Sequence, residues 1–174
     1  MSRVGERHYQ RREVIKKLVG EGKIPKVRLI DGRIAEVKEG QVIELFVHDR
    51  TQKWIRSKVA EVFEDELRNQ YYITEYHIHH IQREKHWKKL VQLGIKDKKT
   101  LLSWLRKIIK RPQVIIWDIR ENALYLGIRK EKEIVLLSLV GMDTLRVMTA
   151  FPKRHIFKNR TRFKLMFSEI EEWR

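Results

Sequence analysis

The sequence predicts an α+β fold in which two helices pack on a four-stranded antiparallel meander, preceded by a small β-rich N-terminal part. Three observations predict it. The stretch Ile73 to Trp87, ITEYHIHHIQREKHW, has a helical period, placing Ile73, Tyr76, His80, Glu84, Trp87 and Val91 along one stripe with His77 beside it. From Val114 onward the period changes to alternating or continuous apolar runs. Before either, Lys26 to Val37 reads KVRLIDGRIAEV, two alternating runs joined by Asp31-Gly32, a strong hairpin signal. The chain thus divides into an N-terminal helix and β-meander module at 1–70 and an α+β domain at 71–174.

Val4, Val14, Ile15, Leu18 and Val19 among charges make a basic amphipathic docking helix over residues 3 to 19, stopped by Gly20 to Gly22. After the hairpin, a turn at Glu39-Gly40 leads to strand candidates Val42 to His48 and Lys53 to Phe63, a small meander. Glu64 to Asn69 is acidic and reads as a loop or helical turn. The histidine helix continues to about Leu93 and ends at Gly94. Thr100 opens a second helix, TLLSWLRKIIK, whose wide apolar face is closed off by Pro112.

Four strands follow at 114 to 118, 123 to 129, 133 to 140 and 145 to 151, joined by hairpin-sized links that make the sheet antiparallel in simple succession. Pro152 ends the last strand, and Ser168 with Glu171 forms a capping box near the C-terminus. Trp104 and Trp117 read as core residues.

Net charge of +16 points to a polyanionic partner, most simply nucleic acid. Residues 1 to 74 hold 16 Lys/Arg against 12 Asp/Glu, whereas residues 75 to 174 hold 23 against 11, so the excess lies in the second half. The other reading is a thermophile-like charged surface, but such surfaces balance sign. With no cysteine, thiol catalysis, disulfides and thiolate zinc sites are excluded. There is no apolar run near 18 residues and no signal-peptide pattern at the start, so the expectation is a cytoplasmic protein with no membrane partner.

The pattern H-I-x-x-x-K-H at His80, Ile81, Lys85 and His86, a second helix, and strands ending in R-V-M-T-A-F-P-K from Arg146 to Lys153 carry a resemblance. Over roughly Ile73 to Arg162 the chain resembles the barnase/EndoU/colicin/RelE-like nuclease superfamily, in the forms found in phages and bacterial mobile elements. The resemblance implies a metal-independent endoribonuclease, toxin-like, with RNA as partner and a cognate inhibitory protein where it is a toxin. It implies catalytic roles for His80, Thr149 and Arg146, with Lys85 or His86 as second acid or base and Lys153 as a flanking basic group. One conflict accompanies it: in a regular strand Arg146 and Thr149 point to opposite faces, unless a bulge resets the alternation.

Such chemistry needs a base for the 2'-hydroxyl, an acid for the 5'-oxygen, and fixed positive charge for the transition state. Imidazole and guanidinium suit these roles. Nucleic-acid contacts are expected at Arg129, Lys153, Arg154, Lys158, Arg160 and Arg162, with Phe157 and Phe163 interleaved as base stackers or as core. His80 has a second reading, a core histidine bonded to Tyr76 or Glu84. His77, His80 and Glu84 also have spacing that would offer metal ligands, but without a fourth ligand the reading assigns no metal and no cofactor. A non-catalytic nucleic-acid-binding protein, or an assembly protein packed against RNA or DNA, is the competing class.

Overall fold

Helix α1 spans Arg3–Leu18 and stops where Gly20 (φ 128°) and Gly22 (φ 67°) take backbone conformations that side chains with a Cβ rarely adopt. The chain then runs through β1 (Lys26–Leu29), β2 (Ile34–Glu36), β3 (Val42–Val47), β4 (Lys53–Glu64) and β5 (Gln70–Thr74). These form one antiparallel sheet in the order β2-β1-β3-β4-β5. The computed structural model describes residues 3–47, 52–131 and 134–174. Asp31-Gly32 makes the expected hairpin, pairing Val27 with Ala35. Alternation puts Val27, Ile43, Leu45 and Val47 on one face, where they pack with Val59 and Tyr72 into a small core.

Helices α2 (Glu75–Arg83), α3 (Trp87–Gln92) and α4 (Lys98–Lys110) follow. Strands β6 (Val114–Asp118), β7 (Ala123–Glu131), β8 (Ile134–Gly141), β9 (Val147–Lys153) and β10 (Phe163–Ser168) make a second antiparallel sheet, in the order β10-β6-β7-β8-β9. Helix α4 begins in a reciprocal cap: the Asp97 carboxylate accepts from the Thr100 N–H at 2.8 Å, and the Thr100 hydroxyl accepts from the Asp97 N–H at 3.1 Å. Ile78 and Ile81 of α2 and Leu101, Leu105, Ile108 and Ile109 of α4 form the main core with Ile115, Leu124, Leu126 and Val147 of the sheet. Each such side chain contributes roughly 1.5–3 kcal/mol on burial. The sheet's other face carries Tyr125, Phe157, Phe163 and Trp173.

The fold is therefore α+β, as the sequence predicts, but its count of elements differs. Residues 163 to 168 form a fifth strand, β10, paired with β6 rather than extending a tail. Its alternation of Phe163, Leu165 and Phe167 spans only six residues and follows an acid-free basic run, so nothing local announces the return across the sheet. The histidine segment is not one helix. Ile73 lies in β5, Thr74 caps α2 by accepting from the His77 N–H, and extended Glu84 (ψ 153°) separates α2 from α3. The single stripe from Ile73 to Val91 is thereby broken.

The last meander strand runs from Val147 to Lys153, with Pro152 inside it. A proline is tolerated there because β9 is an edge strand whose outward N–H groups pair with no further strand. Ser168 does not form a box with Glu171; its hydroxyl donates to the Ile170 carbonyl at 2.9 Å and accepts from the Ile170 N–H at 3.0 Å. No helix among the described residues is long and apolar enough to cross a membrane.

One polar network ties the first half to the second, and another closes a turn within the first. The fully buried Arg11 of α1 donates to Glu66 at 2.6 Å and to Glu169, just after β10, at 2.8 Å. The buried Asp65 carboxylate accepts from Leu67 N–H, Asn69 N–H, Asn69 Nδ2 and the Tyr71 hydroxyl, closing the β4–β5 turn. The two sheets also meet directly, through a parallel bridge between Tyr72 of β5 and Arg146 just before β9.

Candidate functional site

Where the facing edges of the two sheets meet under α2, they leave a cleft of about 370 Å³. Helix α2 contributes Tyr76, His77, His80 and Arg83 to it, Glu84 follows, the second sheet contributes Arg146 and Met148, and β3 contributes Phe46 and Val47. Thus His80 and Arg146, 66 residues apart, line one cavity.

The groups in this cleft differ in their freedom. His80 is 38% exposed, and its Nε2 lies 3.5 Å from Glu84 Oε1, a loose pair rather than a tight hydrogen bond. The reading of His80 as a core histidine is corrected: the break after Arg83 leaves its ring at the cleft mouth. His77 is the enclosed one, 7% exposed, with Nδ1 at 2.8 Å from the Thr74 hydroxyl. Burial, together with the Arg146 and His80 charges, pushes its pKa down to about 3, so it is neutral across the physiological range. With Nδ1 held by Thr74, Nε2 is the ring nitrogen left for a ligand.

The Arg146 guanidinium lies near the Tyr72 hydroxyl, whose pKa burial raises against the effect of that charge. Its Nε is buried and has no hydrogen-bond partner. A guanidinium on the wall of a cavity suits an anion, since its fork matches the oxygens of a phosphate or carboxylate.

The expected conflict on the last strand is resolved in part. The β8–β9 register slips between Leu139 and Val140, so Met148 is the extra residue of a bulge. Val147 and Ala150 then both face the main core, and Met148 lines the cleft. Thr149 does not line it, and shares a side with Phe151, which packs against Tyr125. Lys85 and His86 also lie outside the cleft. His86 sits 5.5 Å from the Phe151 ring, its pKa lowered by burial and by Lys85 and Lys89.

Farther along the same edge of β9 lies a second cleft of about 530 Å³, lined by Lys89, Gln92, Leu93, Pro152, Lys153, Arg154 and His155. No acid lines it. Lys153 Nζ lies 4.4 Å from the Phe157 ring centroid, and burial lowers its pKa. Lys158 and Arg160 are exposed beyond it.

Arg162 and Arg129 are placed differently from the expectation that they meet nucleic acid. Arg162 donates to both oxygens of buried Asp118 at 3.0 Å and lies over Phe163, and Arg129 pairs with Glu172 at 2.6 Å. Phe157 and Phe163 stack on each other at 4.1 Å within the core of the outer face, which leaves them as packing rather than as base platforms. Among the described residues no three His, Asp or Glu side chains converge as a metal ion would require.

Sequence reasoning set His77 and Glu84 aside as candidate metal ligands and passed over Tyr72 altogether. A signal for His77 was present: Thr74 three residues before it is a capping residue, which starts the helix there and buries the first inward side chain. No protein-family model, curated protein or solved structure matches the chain.

Proposed function

We propose that this protein binds RNA along the β9 edge and cleaves it without a metal, in the manner of the barnase/EndoU/colicin/RelE-like nucleases, with attack by the 2'-hydroxyl on the adjacent phosphorus. The reading rests on one observation above others: His80, Glu84 and Arg146 line one cleft that opens beside an acid-free basic groove. In this scheme the Glu84 and His80 pair exchanges protons with the substrate. One takes the 2'-hydroxyl proton as the 2'-oxygen–phosphorus bond forms, and the other gives a proton to the 5'-oxygen as its bond to phosphorus breaks. Arg146 holds the phosphate oxygens as charge builds on them, and neutral His77 offers a hydrogen bond without adding charge. Lys89, Lys153 and Arg154 hold the strand on either side through its phosphates. On this reading the protein acts in the cytoplasm, where its RNA is, and a toxin-like role would call for an inhibitory protein.

The test is incubation with RNA in excess chelator. Wild type should leave 2',3'-cyclic phosphate ends, and His80→Ala should slow cleavage about 10²- to 10⁴-fold while RNA binding persists. A second reading, an RNA-binding module without catalysis, is favoured by Thr149, Lys85 and His86 lying outside the cleft. Wild type that retards RNA on a gel and never cuts it decides for that reading.

A further inference from the structure

We propose that the outer face of the N-terminal sheet is a base-stacking subsite for the RNA segment adjoining the cleft, with Trp54 as its platform. The inference rests on the reading above that the cleft takes an RNA phosphate. Of the five tryptophans, Trp54 stands apart at 59% exposed, whereas Trp87, Trp104 and Trp117 are partly buried against the main core and Trp173 is 3% exposed. Folding does not call for an aromatic there, because the small core lies on the opposite face of the sheet, under Ile43, Leu45 and Val47.

Three features connect this ring to the cleft and to a polyanion. Trp54 is the cross-strand partner of Phe46, their rings meeting edge to face at 5.6 Å, and Phe46 is itself a wall of the cleft. The aromatic surface is therefore continuous from the cleft to Trp54. The Arg28 guanidinium lies 5.8 Å from the Trp54 ring centroid, the arrangement in which a cation both orients an aromatic platform and meets the phosphate next to a stacked base. Arg28 and Arg56 share one carboxylate, Glu44, at 3.6 Å each, so the row keeps an excess positive charge. An exposed aromatic with flanking cations, adjoining a cleft that holds Arg83 and Arg146, matches an unpaired RNA strand, whose splayed bases each offer a stacking face. An acidic protein surface would meet the cations but leave the ring uncovered.

The experiment measures binding of a single-stranded, 2'-O-methylated oligonucleotide, which cannot be cut. Trp54→Ala should weaken binding about 5- to 150-fold, the range for one stacked base, while Trp54→Phe keeps most of the affinity. Replacing one base by an abasic spacer, position by position, should find a position that matters in wild type and no longer matters in Trp54→Ala. Equal affinity of Trp54→Ala and wild type overturns the subsite. Because the probe is uncleavable, a wild type that binds it but cuts no RNA removes the catalytic reading and leaves the subsite standing. A wild type that does not bind it overturns both. Since Trp54 belongs to none of the three cores, unchanged circular dichroism in Trp54→Ala is expected and confirms that the comparison is between folded proteins.

Discussion

Arg146 forms a parallel bridge with Tyr72, and the Tyr72 N–H donates to the carbonyl of the neighbouring Leu145 at 3.1 Å, so one short contact both joins the two sheets and aims a guanidinium into the cleft. Its orientation is set by the fold and not by the ligand. Such preorganised charge is where transition-state stabilisation comes from.

Arg146→Met should therefore lower the cleavage rate by about 10²- to 10³-fold, the usual cost of one preorganised donor. Arg146→Lys should recover only part of it, because an ammonium is a point charge without the planar fork that meets two phosphate oxygens. Single-turnover kinetics on a short RNA would measure both, and an unchanged rate for Arg146→Met would remove this residue from the chemistry.

His77 makes stability depend on acid. Unfolded, its pKa returns to the ordinary 6.5, whereas in the fold it is about 3. The unfolded chain therefore binds the proton more tightly between these values, and folding stability falls as pH drops through that window. This one ring contributes a slope of about 1.4 kcal/mol per pH unit. Urea midpoints measured from pH 7 to pH 4 should fall more steeply for wild type than for His77→Gln. Parallel curves would show that His77 protonates freely in the folded protein.

Arg11 is the internal fastener of the molecule, fully buried and bridging Glu66 to Glu169. Arg11→Ala leaves two partly buried carboxylates facing each other, and about 3–5 kcal/mol of stability should be lost. That is a large fraction of a typical domain's total. Lysine should not restore it, since one ammonium cannot reach both carboxylates in the geometry of the guanidinium fork. Denaturation of the three proteins side by side decides the matter; equal midpoints would mean that α1 docks through its apolar face alone.

Arg162 and Lys158 both come from the basic run after β9, yet they should behave in opposite ways. Arg162→Ala strips buried Asp118 of its bidentate partner and should lower the thermal midpoint, while Lys158→Ala, at an exposed position, should leave it in place. In RNA binding the order reverses: Lys158→Ala should reduce the salt dependence by about 0.7 in log–log slope, and Arg162→Ala should not. A drop in slope for Arg162→Ala would return that residue to the nucleic-acid face.

What the sequence determined by itself was whatever depends on neighbours in the chain. Alternation at 42 to 47, the continuous apolar run at 123 to 128, the Asp31-Gly32 turn, the Asp97 and Thr100 cap and the apolar face of α4 all arise from periods and turn chemistry within a dozen residues. The tertiary structure decided the rest. Thr74 became a cap, because pairing of residues 70 to 74 with β4 claimed the backbone that a longer helix would have used. Arg162 was drawn to Asp118, 44 residues earlier, only because β10 returned beside β6. His77 is kept neutral by burial and by Arg146, which comes near only when the edges of two separate sheets meet. Periodicity records which way a side chain points; the partner it meets depends on how distant segments pack, and that is a property of the whole chain.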